Sequence, residues 1–278
     1  MIHALLLGAL LAQDAPADTT VDVRQGDRLV VEGLSGELAI TGWDQSRVQV
    51  VSDSENGVAV RQRGSEVRVE QEGRRGRSDE VVIFVPAWMD VQVRSRSLDV
   101  GVSGLDGTIE VENVSGDIAV ADAGGEVVVR SVSGEIAVAN ARAGVRASSQ
   151  SDDVALGRVS GPIEAHSGDG DITLAQVTSS SVRVEAQDGD IAFIGVIQPG
   201  GHYGFYLHDG DATIALPEDT NASVRVATFD GEFESDFTIR VDRFTAGREF
   251  EFDLGDGGAE VEIEVFDGDI RLARTNQP

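Results

Sequence analysis

The sequence contains no cysteine and no lysine. Without cysteine, the chain can form no disulfide, zinc–thiolate site or iron–sulfur cluster, and it has no thiol nucleophile. Without lysine, it offers no Schiff-base amine and no P-loop lysine. Aromatic residues make up only 5% of the 278 residues, so the core has to be built mainly from Val, Ile, Leu and Ala. The apolar share of 41% is nevertheless typical of a folded domain.

Basic charge is scarce, because 22 arginines face 49 acidic residues, which gives a net charge of −27. The imbalance is concentrated in residues 101–278, which hold 11 arginines and 33 acids. A field of this sign repels nucleic acid and anionic lipid, so we expect no nucleic-acid partner. It attracts cations and basic partners, although runs of acids usually keep a surface solvated.

Long apolar runs are also missing. The run Ala4–Ala12 is too short to cross a bilayer and is typical of a signal peptide over residues 1–12, with cleavage after Ala12. A misassigned start and a buried first strand are the alternatives. We therefore expect an exported protein in the periplasm, on the cell surface or outside the cell, with no membrane span after cleavage.

A nine-residue period runs through the middle of the chain. Ten positions at this spacing are all Val or Ile, and the position two residues further on is aliphatic in every unit. Residues i and i+2 of a strand point the same way, so each unit predicts a short strand with two inward side chains, then a turn. The ten positions are Val91, Val100, Ile109, Ile118, Val127, Ile136, Val145, Val154, Ile163 and Ile172.

Two kinds of unit alternate along this repeat. Units such as Ser-Gly-Asp-Ile (115–118) have a glycine two residues before the Val or Ile, and units such as Glu-Val-Val-Val-Arg (126–130) lie between them. Glycine permits the positive φ of a tight corner. The full period is therefore about eighteen residues. We predict an all-β, parallel β-solenoid (a β-helix or β-roll) with about two strands per coil.

The repeat becomes irregular towards both ends. We predict irregular N-terminal β coils over residues 13–90, the regular solenoid over residues 91–235, and C-terminal coils with a cap over residues 236–278. Phenylalanine-rich strands in the last segment suit a cap, because an open solenoid edge invites aggregation. We find no linker that makes any of these segments a separate domain.

At these repeats the sequence resembles the bacterial "putative adhesin" family, an exported or membrane-tethered group of unknown function. The repeated Ser-Gly-Asp-Ile strands carry the resemblance, together with the segment Phe84-Val85-Pro86, and it covers about residues 30–273. The resemblance implies a parallel β-helix or roll and brings no catalytic residues. Residues 200–208, Gly-Gly-His-Tyr-Gly-Phe-Tyr-Leu-His, depart from the pattern because they are richer in aromatics.

The acids that follow the repeat glycines are the first candidate site. In register they form a ladder at the strand spacing of about 4.8 Å, in which neighbours repel by roughly 1 kcal/mol per pair. Four glycines have an aspartate on each side, and such pairs could seat Ca²⁺. Ca²⁺-binding rolls, however, need Gly-Gly-x-Gly-x-Asp, and most units here have a single glycine. The ladder acids are Asp117, Glu135, Asp153, Asp171, Asp190, Asp211 and Glu232, and the pairs are Asp169/Asp171, Asp188/Asp190, Asp209/Asp211 and Asp267/Asp269.

Arginines and aromatics supply two further candidates. Arg146, Arg183 and Arg225 lie next to inward Val positions, so they should point outward and pair with acids on adjacent coils. A row of ligand-facing arginines is the alternative. In the segment 202–208 one strand face carries Tyr203, Phe205 and Leu207, and the other carries His202, Tyr206 and His208. Outward aromatics can stack on sugar rings, although packing is their commoner role in strands.

Catalytic motifs are absent: the sequence has no Gly-x-Ser-x-Gly elbow, His-Glu-x-x-His pair, P-loop or Rossmann fingerprint. We therefore predict a non-enzymatic cell-envelope or surface protein, an adhesin or scaffold that presents an acidic repeat face to an envelope protein or a surface glycan. We assign no catalytic, cofactor-binding or metal-binding residue. The alternatives are a polysaccharide-acting β-helix lyase or hydrolase, and a secreted β-roll stabilised by Ca²⁺.

Overall fold

The computed structural model describes residues 19–52, 58–71, 79–239, 241–244 and 249–275. The predicted signal peptide, residues 1–12, lies outside this part of the chain. The described residues form 25 strands and no helix, so they contain no helix that could cross a membrane.

The strands are numbered in chain order. The N-terminal coils contain β1 Thr19–Asp22, β2 Arg28–Glu32, β3 Ser35–Trp43, β4 Arg47–Ser52, β5 Val58–Arg63, β6 Glu66–Gln71, β7 Asp79–Pro86, β8 Asp90–Arg94 and β9 Ser97–Ser103. The middle coils contain β10 Ile109–Glu112, β11 Ile118–Ala121, β12 Val127–Arg130, β13 Ile136–Ala139, β14 Val145–Ser149, β15 Val154–Gly157 and β16 Ile163–Asp169. The C-terminal coils contain β17 Ile172–Asp188, β18 Ile191–Asp209, β19 Ala212–Pro217, β20 Ala222–Asp230, β21 Phe233–Ser235, β22 Val241–Phe244, β23 Glu249–Leu254, β24 Ala259–Asp267 and β25 Ile270–Thr275.

From β8 to β15, each strand pairs in parallel with the strand after next. The even-numbered strands β8 to β16 form one sheet, and the odd-numbered strands β9 to β15 with the first part of β17 form the other. Partner residues are 18 positions apart, as for Ile109 and Val127. The offset grows to 21 between Val182 and Tyr203. The predicted all-β, mostly parallel, solenoid-like fold is confirmed.

A single apolar core runs between the two sheets. Inward residues such as Val127 and Val129 are fully buried, while the intervening outward residues are not. In the wider C-terminal coils, aromatic rings fill the added space: the rings of Phe193 and Phe205 meet edge to face with centroids 5.2 Å apart. Tyr203 is buried beside them, and its hydroxyl accepts the Gln198 N–H at 2.7 Å.

The order of coils in space differs from the order in the chain at both ends. The first coil is inserted, because β2 lies between β6 and β8, and β3 lies between β7 and β9. The last coil is inserted in the same way, since β24 lies between β18 and β20, and β25 lies between β19 and β21. Each terminal coil is therefore hydrogen-bonded on both sides.

Antiparallel strands cover the ends of the stack. At the N-terminal end, β5 pairs with β6, and β4 pairs with β7 and β1. At the other end, β23 pairs with β20 and with β22. These strands cover parallel edges that would otherwise be open to a second chain. The sequence pattern predicted a parallel solenoid and did not reveal these antiparallel pairs. Inward–outward alternation is the same in both kinds of pairing, so it cannot distinguish them.

The corners bring backbones of successive coils into close contact. Gly134 has a φ of +134°, and a Cβ at this position would lie 2.2 Å from the carbonyl oxygen of Gly116. A second column of corners uses left-handed residues other than glycine, with φ between 53° and 59°. There, Asn140 donates its side-chain N–H to Asp122 Oδ1 at 2.8 Å and accepts from Arg158 Nε at 2.6 Å. Side chains therefore stabilise this column.

Candidate functional site

Hydrogen bonds join most neighbouring acids of the ladder from one coil to the next. Asp117 Oδ1 accepts the backbone N–H of Glu135 at 3.0 Å, and Asp171 Oδ1 accepts that of Asp190 at 2.8 Å. These charge-assisted bonds offset the repulsion between neighbouring carboxylates. The same contact joins Asp99 to Asp117, Asp153 to Asp171, Asp190 to Asp211, Asp211 to Asp269, and Asp269 to Glu232.

The ladder therefore has a structural role that the spacing alone did not reveal. In strand order, it runs through the inserted C-terminal coil, from Asp211 to Asp269 to Glu232. The described residues contain no cluster of three or more His, Cys, Asp or Glu side chains suited to a metal ion. In each predicted aspartate pair, a Ca²⁺ ion would have to share one carboxylate that already accepts a backbone N–H group.

The three candidate arginines form ion pairs on the outward face. Arg146 pairs with Glu126, and Arg183 pairs with Glu185. Arg225 contacts Glu251 at 3.1 Å, as well as Glu249 and Glu262 on the strands to either side. All three side chains are about half exposed, and exposed ion pairs contribute only about 0–1 kcal/mol to stability.

Tyr206 is the centre of a polar cluster on the outward face of β18. Its ring packs across Gly204, where a Cβ would lie 2.6 Å from ring atom Cε2. The Arg183 guanidinium lies 4.6 Å from the ring centroid, and the Tyr206 hydroxyl donates to Glu262 at 2.6 Å. Burial, and then the hydrogen bond to Glu262, raise the pKa of Tyr206. The phenol is thus protonated at neutral pH and acts as a hydrogen-bond donor.

A groove of about 660 Å³ opens beside this cluster; we call it the polar groove. His202 Nε2 lies 3.2 Å from Glu260 Oε2 within it. The lining thus combines guanidinium, imidazole, phenol and carboxylate groups that can bind polar ligands. Its charged and polar lining includes Arg183, His202, Tyr206, Arg225, Glu251 and Glu262.

Three aromatic rings form a stack on the surface of the C-terminal coils. The centroids of His208 and Phe266 are 4.9 Å apart, and Phe229 lies 4.9 Å beyond Phe266 with an interplanar angle of 2°. Phe229 is 67% exposed and Phe266 is 50% exposed. We call these three residues the aromatic ridge. It is the only place in the described residues where two exposed large apolar side chains stack as rings.

A second groove, of about 520 Å³, lies alongside the aromatic ridge; we call it the ridge groove. Its opposite side carries Glu185, Tyr206 and Glu264, and buried Leu207 and Val265 also line it. Two further lining residues have buried polar atoms without a hydrogen-bond partner in the described structure, namely Thr228 Oγ1 and His166 Nδ1. The surface of the groove therefore combines exposed aromatic rings with acidic side chains.

Most of the chain matches a known protein family. The family model described as Toastrack DUF4097 matches residues 44–273. The chain belongs to the Toastrack DUF4097 family. This membership confirms the resemblance to a family of unknown function. No curated protein is significantly similar in sequence to this Toastrack chain.

Three solved structures share similarity with this Toastrack chain at low sequence identity. A "putative cell adhesion protein" from Clostridium sporogenes is 12% identical, with a TM-score of 0.21, over 94% of this chain and 100% of that one. A "putative adhesin" from Bacteroides fragilis is 10% identical, with a TM-score of 0.37, over 93% and 96%. A "putative adhesin" from Parabacteroides distasonis is 9% identical, with a TM-score of 0.37, over 93% and 98%.

Sequence reasoning identified part of this site and missed the rest. The outward positions of His202, Tyr206 and His208 in the Toastrack chain match the predicted strand face. Phe229 and Phe266 were missed, although each precedes an Asp-Gly pair just as His208 does. That shared position is a signal in the sequence. Their stacking order was not foreseeable, because it depends on the inserted last coil.

Proposed function

We propose that this Toastrack chain is a non-enzymatic, exported cell-envelope or surface protein, an adhesin or scaffold, with its binding face on the C-terminal coils. The observation that carries this proposal is the aromatic ridge. Phe229 and Phe266 are exposed side by side on a surface that is otherwise rich in carboxylates. Adjacent exposed apolar groups of this kind mark interaction sites more often than isolated ones do.

The rest of the fold supports a role as a rigid carrier for this face. Strands of the middle coils are hydrogen-bonded on both sides, and the acid ladder adds a further bond at the corner. In our proposal the nine-residue unit, two strands to a coil, is the building block of the middle coils and sets the length of that part of the carrier. Solenoids of stacked repeats commonly offer extended surfaces for binding. The expected partners are an envelope protein or a surface glycan.

A polysaccharide-acting enzyme is the second candidate, and the polar groove favours it. The groove brings Arg183, Tyr206 and Glu262 together, with His202 nearby. A catalytic base, however, should have a pKa near the working pH, whereas the pKa of Tyr206 is raised. The groove thus resembles a binding surface more than an acid–base site.

The test is to incubate the chain with a panel of bacterial and plant polysaccharides and with extracts of envelope proteins. Retention of each polymer and its chain length are measured, with Ca²⁺ and with EDTA. We expect retention without shortening, and weaker retention by the Phe229→Ser/Phe266→Ser variant. Shortened polymer, abolished by Tyr206→Phe or Glu262→Gln, would instead establish the enzyme.

A further inference from the structure

We propose that the ridge groove binds a cationic, apolar segment of a partner protein, in which apolar side chains alternate with Arg or Lys. This inference rests on the proposed function and names the chemistry of its ligand. The apolar side chains would pack against the aromatic ridge, whose exposed rings are Phe229 and Phe266. The basic side chains would contact the carboxylates on both sides.

The geometry of the rings favours side chains over sugars. Phe266 has His208 stacked on one face and Phe229 on the other, at 4.9 Å in both cases. A sugar stacks on an open ring face, and Phe266 offers none. Phe266 instead presents its ring edge, and aromatic or aliphatic side chains pack well against ring edges. At Phe266, the central ring of the ridge, an apolar side chain therefore fits better than a pyranose ring does.

Carboxylates lie along both sides of the ridge. Asp209 and Asp267 are paired residues of neighbouring strands, and each directly follows a ridge residue. Glu264 stands across the groove. Within the described residues, none of these three carboxylates forms an ion pair, and the nearby Arg183 and Arg225 are already paired with other acids. These three carboxylates are thus available to pair with the basic side chains of a ligand.

The net charge of the chain limits which kinds of molecule can bind in the ridge groove. At −27, the chain repels a second copy of itself, an anionic membrane and nucleic acid. A basic segment would be attracted by the same field, which raises association rates as well as affinity.

The experiment uses the full chain and three ten-residue peptides, of alternating Arg and Leu, Arg and Ser, or Glu and Leu. Binding is measured by calorimetry at about 50 mM and about 500 mM sodium chloride. We expect the Arg/Leu peptide to bind at least about tenfold more tightly than the other two. High salt should weaken its binding by a similar factor, because the wall carboxylates are partly exposed.

Substitutions at the ridge, each compared with a control substitution in the middle coils, show where the peptide binds. Phe229→Ser/Phe266→Ser should raise the Kd by about tenfold or more, while Val114→Ser/Val132→Ser should leave it unchanged. The second pair is the control, because Val114 is 47% exposed and Val132 is 42% exposed in the middle coils. Glu264→Gln should weaken binding, and Glu110→Gln in a middle coil should not. Melting curves verify that each variant is folded.

Several results would overturn the inference while leaving the proposed function intact. One is equal affinity for the Arg/Leu and Arg/Ser peptides. Another is an equal loss of affinity in the Phe double variant and the Val double variant. A third is the binding of neutral oligosaccharides at the ridge in place of peptide. A dimer that dissociates on ridge substitution would show that a second copy is the occupant. Shortening of a polysaccharide would instead contradict the proposed function itself.

Discussion

The middle coils and the C-terminal coils are built on the same plan and differ in what they add to it. In the middle, partner residues lie 18 positions apart and the interior is aliphatic, as at Ile109 and Val127. In the C-terminal coils the offset reaches 21, and Phe193 and Phe205 fill the interior. The surface changes as well, since both grooves and the aromatic ridge lie on these wider coils.

The contrast shows how a repeat protein acquires a specific site. A strict repeat places the same kind of side chain in every coil, so no position on its surface is distinctive. Extra residues and out-of-order insertion of the last coil juxtapose side chains that the repeat would keep apart, as at Phe229 and Phe266. Departures from the period therefore mark where to look for function in such folds.

The largest effect we expect is from removing an aromatic core side chain in the wide coils. Phe205 is fully buried against Phe193, so Phe205→Ala should lower the free energy of unfolding by about 3–5 kcal/mol. Ile136→Val, in an aliphatic middle coil, should cost only about 0.5–1.5 kcal/mol. Urea unfolding followed by circular dichroism measures both. Equal losses would mean that the wide coils do not depend on their rings.

The next effect tests the close coil contact at the middle corners. Gly134→Ala places a Cβ against the Gly116 carbonyl in a left-handed conformation, and should destabilise by about 1–3 kcal/mol. Gly157→Ala is the control, because a Cβ there meets nothing within 4 Å. Thermal melting of the two variants gives the comparison. A Gly134→Ala chain as stable as the control would contradict the close packing of coils.

The acid ladder should behave alike in both regions. Asp117→Ala removes the acceptor of the Glu135 N–H, and Asp211→Ala removes that of Asp269. Each should cost about 0.5–2 kcal/mol, as loss of a helix cap does, whereas Asp→Asn keeps an acceptor oxygen and should cost less. Urea unfolding distinguishes them. A loss only at Asp117 would mean that the ladder ends before the inserted coil.

The smallest effect lies at the opposite end of the stack from the ridge. Hydrogen bonds from Arg28 and Arg68 lower the pKa of Glu66 below its ordinary 4.5. A lowered pKa gives stability that is present above the unfolded-state pKa and is lost as the pH falls through the folded-state value. Glu66→Gln should therefore reduce the melting temperature slightly at about pH 7 and not at about pH 2. A difference that persists in acid would contradict this assignment.

The sequence predicted the scaffold better than the site, for physical reasons. Burial of alternate residues leaves a direct trace, so Val127, Val129 and their counterparts were read correctly as core. The ladder acids were located, but their role depends on backbone N–H groups of the next coil, which have no sequence signature. The ridge depends on which coil lies beside which, and strand alternation does not encode the order of coils.

Hydroxyl-radical footprinting of side chains is the most direct test of a binding face on the C-terminal coils. The chain is oxidised alone and with the polysaccharide or peptide that it retains. We expect ligand to protect Phe229, Phe266 and His208 from oxidation and to leave Val114 and Val132 as reactive as before. Protection of the two valines with unchanged ridge oxidation would contradict the account, because the binding face would then belong to the regular repeat.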